Sequence, residues 1–488
     1  MKRMPLMDSF FLTSESRNQP MHVGGVNLFT IPEGVDESEF ISSLLDIVRY
    51  EGELRHPFKQ RLKMSPLGQY GPIWWVDDEE FDIDYHIRHS ALPKPGTYKD
   101  MFQLVSRLHS TLLDRTRPLW EFHIIEGLEN RQFATYTKFH HCSIDGVGSM
   151  QLMNSMVSTD PKHTSQISPF SQEAADAYRA KVKAKRKINP TKQEIKVVSK
   201  VLKEQFNSSV NVSKALTRFA SAWLGNSTNK FTVPWSKVPK TDFNTSITGS
   251  RRFVAQSWPI ERVKNVAKAM DGTLNDTVLA MCSGALRKHL ETTKDLPKIS
   301  LTAMTPVSLR AEDDLDSANS IGFITASLAT NIKDPGKRFR AIKTSMDKGK
   351  AHLSVMNKRE VEIYTMVTQV PLLVTNLLNV ASKFPAYSTI ISNVPGPREA
   401  MYWNGAKLDG MYPASIPFEG IAMNITLVSN NGNLDFGITA CRRSVPHVQR
   451  LIDYIEDSLV ELEEVAGIRS KPIKKAVSKP RRKAAVKK

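Results

Sequence analysis

A long stretch rich in serine, lysine and asparagine, residues 166–245, separates two parts of the chain that both have the patterns of folded units. On each side of it, short strand-like runs alternate with helix-like runs. The chain has 488 residues, more than one hydrophobic core usually organises. We therefore predict a mixed α/β (α+β) fold with an N-terminal unit over residues 1–165, a linker over 166–245, a C-terminal unit over 246–468 and a tail over 469–488.

Local patterns predict individual elements within these units. The predicted elements are a helix over 101–113, a strand over 132–141, a helix that begins after Pro259, a helix over 274–286, strands over 298–306 and 424–429, and a rigid turn over 393–397. Histidines 86 and 89 have no carboxylate or thiolate ligands nearby in the sequence, and we interpret them as surface residues.

Composition narrows the class of protein. Apolar residues make up 40% of the chain, which excludes global disorder. The three cysteines lie more than a hundred residues apart, so we expect neither a disulfide framework nor a cysteine-rich metal site. The amino terminus lacks a signal-peptide core, and the most apolar window, residues 365–382, is too polar and too short to span a bilayer confidently. We expect a protein of a reducing, cytoplasmic compartment.

The net charge of +17 is concentrated in two segments. Residues 179–204 contain ten Lys or Arg against two acidic residues, and residues 469–488 contain ten against none, so the rest of the chain is nearly neutral. The tail has like charges, spaced prolines and few bulky residues, from which we expect disorder. Anionic lipid headgroups and nucleic acid both attract such a tail, and a solvated solubility tail is the simpler alternative.

The inner basic run continues into residues with helical apolar spacing, namely Ile195, Val198, Val201 and Leu202. This pattern predicts a basic amphipathic linker helix. Such a helix can lie on a membrane surface or pack its apolar face on its own protein, and the sequence leaves both possibilities open.

The stretch over residues 131–148 contains the residue types from which an active site can be built. In a strand, side chains alternate between faces, so His140 and His141 must point to opposite sides. One of them can enter a cavity as a base while the other packs on the opposite face. Asp145 and Gly146 follow at a predicted tight turn, where Gly permits a left-handed backbone and Asp can hold the loop.

The spacing His-His-x-x-x-Asp-Gly at residues 140–146 resembles the signature of the CoA-dependent acyltransferase superfamily. Further runs are similar, in the expected order, to motifs of bacterial wax ester synthase/diacylglycerol acyltransferases. They lie at residues 19–25, 113–115, 117–121, 126–128, 275–276 and 392–397. The resemblance covers about residues 5–465. The run at residues 319–322 departs from it, because Asn-Ser-Ile-Gly stands where relatives often have a Gly-Asn pair.

This resemblance implies two chloramphenicol-acetyltransferase-like lobes that form a pseudo-dimer, with the histidine motif in a tunnel at their interface. It implies His141 as the general base, because a neutral imidazole can take the proton of an attacking alcohol. His140 is its partner on the other face, and Asp145 orients the loop. Asn275 is a candidate for stabilising the oxyanion, although an Asn-Asp pair that caps a helix is the alternative reading.

Other motif residues are interpreted as structural or substrate-contacting. This group contains Gly146, Pro118, Leu119, Trp120, Asp276 and Asn393. We give Cys142 no role as a nucleophile, since the residue after His141 in a strand faces away from it. We expect no metal and no cofactor, with acyl-CoA as a substrate.

The implied reaction moves a long-chain acyl group from acyl-CoA to a fatty alcohol or to diacylglycerol, in the synthesis of neutral storage lipids. The expected location is peripheral, on the inner membrane or on lipid inclusions, with the basic linker and tail against an anionic surface; we do not expect nucleic acid as a partner. Two alternatives stay open: an acyltransferase that takes its donor from a carrier protein, and a coat protein of lipid inclusions without catalysis.

Overall fold

The computed structural model describes the two units and short parts of the linker. The described residues are 1–50, 52–144, 146–188, 213–214, 216–221, 232–235, 238–308, 321–378 and 380–468. Asp145, most of the predicted linker helix, Asn319, Ser320 and the tail over 469–488 lie outside them.

Six described strands form the N-terminal sheet in the order β12-β13-β2-β7-β6-β5. The strands are β2 (His22–Thr30), β5 (Ile87–Gly96), β6 (Trp120–Leu128), β7 (Gln132–His140), β12 (Tyr402–Trp403) and β13 (Ala406–Ala414). Three others, β1 (Lys2–Arg3), β3 (Gln60–Ser65) and β4 (Gly68–Asp77), form a small antiparallel sheet beside it.

Six further strands form the C-terminal sheet in the order β10-β9-β11-β14-β15-β8. They are β8 (Arg251–Pro259), β9 (Thr302–Ser308), β10 (Ile321–Ser327), β11 (Thr389–Val394), β14 (Met423–Asn430) and β15 (Asn433–Cys441). The molecule therefore has a mixed α/β fold with two sheet-containing lobes, as the sequence predicts.

Helices cover the faces of both sheets. In the N-terminal half they are α1 (Leu6–Ser14), α2 (Glu37–Val48), α3 (Ile83–His86), α4 (Tyr98–Leu108), α5 (Gly146–Met156) and α6 (Gln172–Ile188). In the C-terminal half they are α7 (Ile260–Ala269), α8 (Leu274–Thr293), α9 (Pro335–Leu353), α10 (Lys358–Leu377) and α11 (Arg450–Val465). None of the helices among the described residues is long and apolar enough to cross a bilayer.

Strand β13 joins the two lobes. It comes from the C-terminal half of the sequence, yet it pairs antiparallel with β2 of the N-terminal sheet from Lys407 to Ala414. Its Met411 N–H donates a 2.7 Å hydrogen bond to Asp435 on β15 of the other sheet. The predicted boundary at residue 246 therefore divides the sequence but not the two sheets. Strands β12 and β13 follow it in the chain, yet they lie in the N-terminal sheet.

Most predicted elements are present with shifted ends. The strand predicted over 132–141 ends at His140, and the helix predicted over 101–113 begins at Tyr98 and ends at Leu108. The predicted turn at 393–397 is wrong in its first half. Asn393 and Val394 continue β11 and pair with Leu427 and Val428, because the parallel ladder to β14 extends further than the Pro-Gly-Pro run suggests.

The surface interpretation of His86 is also wrong. The side chain is fully buried, and its ring stacks on Trp120 with the centroids 4.5 Å apart. Its Nδ1 lies 2.8 Å from the Trp120 carbonyl oxygen. Because α3 packs against β6, His86 lies in the core rather than on the surface. Burial lowers its pKa to about 4.

Asp435 accepts a hydrogen bond from the crossing strand. Its carboxyl is buried, and no cationic group contributes to the shift of its pKa. Burial raises its pKa from 3.8 to about 6, although hydrogen bonds from Ser257, Met411 and Asn430 act in the opposite direction. A raised carboxyl pKa means that the fold prefers the protonated form. Its contribution to stability is therefore lost as pH rises from about 4 through about 6.

We predict that Asp435→Asn stabilises the protein at pH 7 by about 1–3 kcal/mol, because the amide removes the burial penalty of the charge and can still accept from Met411. The gain should shrink below pH 4. The check is the melting temperature of both proteins across this pH range, with the exposed substitution Asp46→Asn as control. Parallel curves for wild type and Asp435→Asn would contradict the prediction.

Candidate active site

The two histidines stand at the end of β7, where backbone hydrogen bonds hold them from both sides. His140 lies opposite His22 in the β2–β7 register, and its N–H donates to the Leu119 carbonyl at 3.0 Å. The His141 N–H donates to the Met21 carbonyl at 2.9 Å. Residues around Met21 and Leu119 belong to two motif runs found in the sequence, so these runs meet at the histidines.

The alternation predicted for β7 is present. Phe133 and Phe139 pack in the core with α2 and α5, whereas Ala134 and Tyr136 pack in a different cluster with α4. His140 falls on the second of these faces and is fully buried.

His140 is held by its own loop and by an acidic residue of the amino-terminal segment. The Cys142 N–H donates to His140 Nδ1 at 3.2 Å, so Nδ1 is the acceptor and the ring proton sits on Nε2. That nitrogen lies 3.3 Å from Glu15 Oε2. The imidazole is thereby fixed in one tautomer and one orientation.

Glu15 is itself buried and held by three groups. Its carboxylate accepts from the Met21 N–H at 3.0 Å and pairs with Arg115, whose Nη2 is 3.0 Å from Oε1. Arg115 also donates to the Leu12 carbonyl at 2.8 Å. Burial favours the neutral acid, but the hydrogen bond from His140, the Met21 N–H and the Arg115 charge outweigh it and lower the pKa of Glu15.

His141 lies just beyond β7 and is partly exposed. Its ring stacks on Phe11 of α1 with centroids 4.0 Å apart and planes 16° from parallel. The stacking fixes the ring plane from the α1 side. Adjacent histidines thus have different environments: His140 faces a carboxylate in the interior, and His141 lies against an aromatic face.

A cavity of about 130 Å³ lies between the two sheets next to this loop. Phe139 and Gly146, on either side of His141 in the chain, both line it. The remaining lining is mostly apolar and comes from β2, β7, α5, β13 and β14, and it includes Phe122, Met150, Met153, Phe170, Pro413 and Val428.

Gly24 on β2 lines the same cavity and has no room for a side chain, because a Cβ there would overlap the carbonyl oxygen of Thr137. Gly24 therefore permits β2 and β7 to approach closely beside the cavity.

Pro118, Leu119 and Trp120 support the motif strand from its other side. Leu119 gives His140 its backbone acceptor, as described above. The Trp120 indole is buried and donates to the Phe58 carbonyl at 2.9 Å. These three residues therefore hold β7 in place beside β6. Their contacts are packing contacts and hydrogen bonds to the backbone.

A second buried charged cluster lies on the His140 face of β7. Lys138 Nζ and His123 Nε2 lie 3.4 and 3.3 Å from Glu121 Oε2, and Arg88 Nη2 lies 3.4 Å from Oε1. Burial opposes ionisation of Glu121, but the His123 hydrogen bond and the charges of Lys138 and Arg88 outweigh it and lower its pKa to about 2. The cluster ties β5, β6 and β7 together beneath the histidines.

The remaining candidate residues lie at the start of α8 and on β11. Asp276 closes a capping box at the start of α8, where its carboxylate accepts from the Thr273 N–H at 2.8 Å and from the Thr273 hydroxyl at 2.7 Å. Asn275 precedes Asp276 in the first turn of the same helix. Asn393 lies on β11, and its neighbour Val394 lines the cavity.

Sequence reasoning missed Glu15 and Phe11, which contact the rings of His140 and His141. Glu15 lies just before the run at residues 19–25, but no local pattern links it to residue 140. Arg115 was part of a motif run without an assigned role. Within the described ranges, no group of three or more His, Cys, Asp or Glu side chains is arranged to hold a metal ion.

The two lobes, the shared strand and the histidine loop at the interface define a condensation-type acyltransferase fold. The first condensation domain of the CDA synthetase has this fold, with a TM-score of 0.54 at 16% identity over 95% of this chain and 96% of that domain.

The sequence also matches the wax ester synthase/diacylglycerol acyltransferase catalytic domain over residues 4–278 and the C-terminal domain of the same proteins over residues 317–463. A probable diacylglycerol O-acyltransferase of Mycobacterium tuberculosis is 40% identical over 94% of this chain and 98% of its own length. The solved wax ester synthase/diacylglycerol acyltransferase of Marinobacter aquaeolei is 37% identical, with a TM-score of 0.76 over 96% of this chain and 100% of that one. The chain belongs to this family and is an acyltransferase.

We predict that Glu15→Gln lowers the kcat of acyl transfer roughly 10–100-fold, because the neutral amide accepts more weakly from the ring N–H of His140 and loses the ion pair with Arg115. The rate is followed as free CoA thiol released from acyl-CoA. Glu399→Gln, an exposed glutamate without a described partner, is the matched control. An unchanged kcat in a folded Glu15→Gln protein would show that the carboxylate does not position the motif.

Proposed function

We propose that this protein is an O-acyltransferase that moves a long-chain acyl group from acyl-CoA to a fatty alcohol, giving a wax ester, or to diacylglycerol, giving triacylglycerol. The observation that carries the proposal is the apolar cavity between the lobes, beside a histidine pair whose inner member is fixed by Glu15. The names of the relatives support the same substrate classes.

In the proposed reaction, His141 acts as the general base. Its imidazole takes the hydroxyl proton as the alcohol oxygen forms a bond to the thioester carbonyl carbon. The tetrahedral species then breaks its C–S bond and expels CoA thiolate, which takes the proton back from the imidazolium. The products are the ester and CoA, so the cycle closes with no acyl-enzyme and no cofactor.

His140 is proposed as a positioning residue rather than a second base, because both ring nitrogens are already engaged by Cys142 and Glu15. Asp145 is proposed to orient the loop. Asn275 is our candidate for donating a hydrogen bond to the oxyanion, and this role stays a prediction.

Cys142 takes no part in this proposal. Its thiol is buried, and burial raises its pKa well above the ordinary range, which disfavours the thiolate that a nucleophile needs. Substitution of Cys142 therefore serves as a control next to His141 in the assay.

We predict that the purified protein converts palmitoyl-CoA and hexadecanol to ester and free CoA in equal amounts, and that His141→Ala lowers the rate by roughly 10²–10⁴-fold. Cys142→Ala should keep most of the activity. The measurement follows both products together.

Other results would redirect the proposal. CoA release without ester would indicate hydrolysis, and equal rates in wild type and His141→Ala would overturn the assignment of the base. Inactivity with acyl-CoA but activity with a carrier-protein thioester would favour a carrier protein as the donor of the acyl group.

We also propose that the enzyme works peripherally, on the cytoplasmic face of the inner membrane or on lipid inclusions, in the synthesis of storage lipids. Its proposed acceptors dissolve in lipid, and its two basic segments suit an anionic surface, where each Lys or Arg contributes about 1 kcal/mol of attraction.

Removal of residues 469–488 should weaken binding to vesicles that contain phosphatidylglycerol and should reduce the salt dependence of that binding. Cosedimentation at low and high salt measures both effects. Binding that is unchanged by the truncation at either salt concentration would exclude the tail as a membrane contact.

A further inference from the structure

Helix α10 (Lys358–Leu377) exposes a continuous apolar stripe. The side chains of Ile363, Val367, Val370, Val374 and Leu377 follow one another at helical spacing, and Leu378 comes directly after them. We call these six residues the α10 stripe. Their exposed fractions run from 39% to 66%. Single exposed apolar residues are ordinary on a protein surface, but a stripe along a whole helix marks a contact surface.

The opposite face of α10 fixes how the helix lies. Val361 and Tyr364 pack into the core of the C-terminal lobe. The buried Gln369 amide donates to the Tyr387 hydroxyl at 2.9 Å. A capping box between Asn357 and Glu360 starts the helix. Because the buried face is specified in this way, the stripe must point outward in the folded protein.

The charges around the stripe favour a lipid surface over other occupants. Residues 365–384 contain no Asp or Glu, and Lys383 is their one charged residue. Phe384, next to it, is 63% exposed. A lysine beside exposed apolar side chains complements an anionic lipid interface, where the apolar groups enter the lipid and the ammonium meets the headgroups.

One end of the stripe borders a second cavity, which lies beside Glu15. This cavity, of about 360 Å³, is lined by Leu377 and Asn376 of α10 and by Glu15 and Gln19 of the amino-terminal segment, and most of its lining is polar. Glu15 is the residue 3.3 Å from His140 Nε2. Residues at the end of the stripe and residues behind the motif therefore line the same space.

We propose that the α10 stripe docks the enzyme onto a lipid surface and so places the mouth of this second cavity against the lipid. This inference rests on the proposed function, because it assumes a lipophilic acceptor. The basic segments would attract the enzyme to the surface, and the stripe would fix its orientation.

The test compares two triple variants. Val370→Gln, Val374→Gln and Leu378→Gln together remove the apolar character of the stripe, with a residue that helices tolerate well. The matched control, Leu67→Gln, Ile299→Gln and Val465→Gln, changes three exposed apolar residues outside α10. Binding is measured by cosedimentation with vesicles of phosphatidylcholine with a minor share of phosphatidylglycerol. Activity is measured with hexadecanol in the vesicles and with 1-hexanol in solution.

The stripe variant should bind vesicles about tenfold more weakly or worse, since three apolar side chains no longer enter the lipid. Its activity with hexadecanol should fall in parallel, while its activity with 1-hexanol stays near wild type. The control variant should match wild type in all three measurements. Failure of wild type to acylate either alcohol would count against the proposed function, whereas vesicle binding tests the docking surface separately.

A second measurement does not depend on loss of binding. The three native cysteines are buried, so Val374→Cys can be labelled with a polarity-sensitive fluorophore. Addition of vesicles should shift its emission to the blue, whereas Ile299→Cys should show no shift.

Unchanged vesicle binding of the stripe variant, or an unshifted label at residue 374, would overturn the proposal. So would a dimer in analytical ultracentrifugation that the stripe variant abolishes while vesicle binding persists, because the stripe would then be an interface between copies.

Discussion

The pairing of β13 with β2 is the constraint on which the rest of the molecule depends. It carries a strand from the C-terminal half into the N-terminal sheet, and the Met411 contact to Asp435 fastens that strand to the other sheet as well. The cavity between the lobes has β13 as one wall. If this pairing were lost, the lobes would keep their own cores, but the cavity beside the histidines would lose its shape.

The active site adds a second constraint, which is electrostatic. Buried charges persist only when they are paired, and here the pairs also orient the chemistry. Glu15 and Arg115 hold His140 from the amino-terminal segment, while Glu121 and Lys138 tie the neighbouring strands together beneath it. The histidine pair is therefore positioned from two sides, and His141 lies partly exposed at the edge of the interior.

The sequence predicts some of this well and some of it poorly. The strand that ends at His140 and the opposite orientations of its two histidines follow from a period of two within ten residues. The turn predicted at residues 393–397 is wrong in its first half, because the Pro-Gly-Pro run signals a turn whereas the ladder to β14 keeps Asn393 extended. The surface interpretation of His86 is wrong because no local pattern around it indicates that Trp120 and Phe81 cover its ring.

The sequence by itself determined the family, the two-unit organisation and the identity of the histidine motif, since these depend on motif order and on patterns within short windows. Only the tertiary structure decided that Glu15 faces His140, that β13 crosses between the sheets and that α10 presents an apolar stripe beside a cavity. The reason is physical. Each of these features depends on residues far apart in the chain, and their contact depends on how the elements pack rather than on any local pattern.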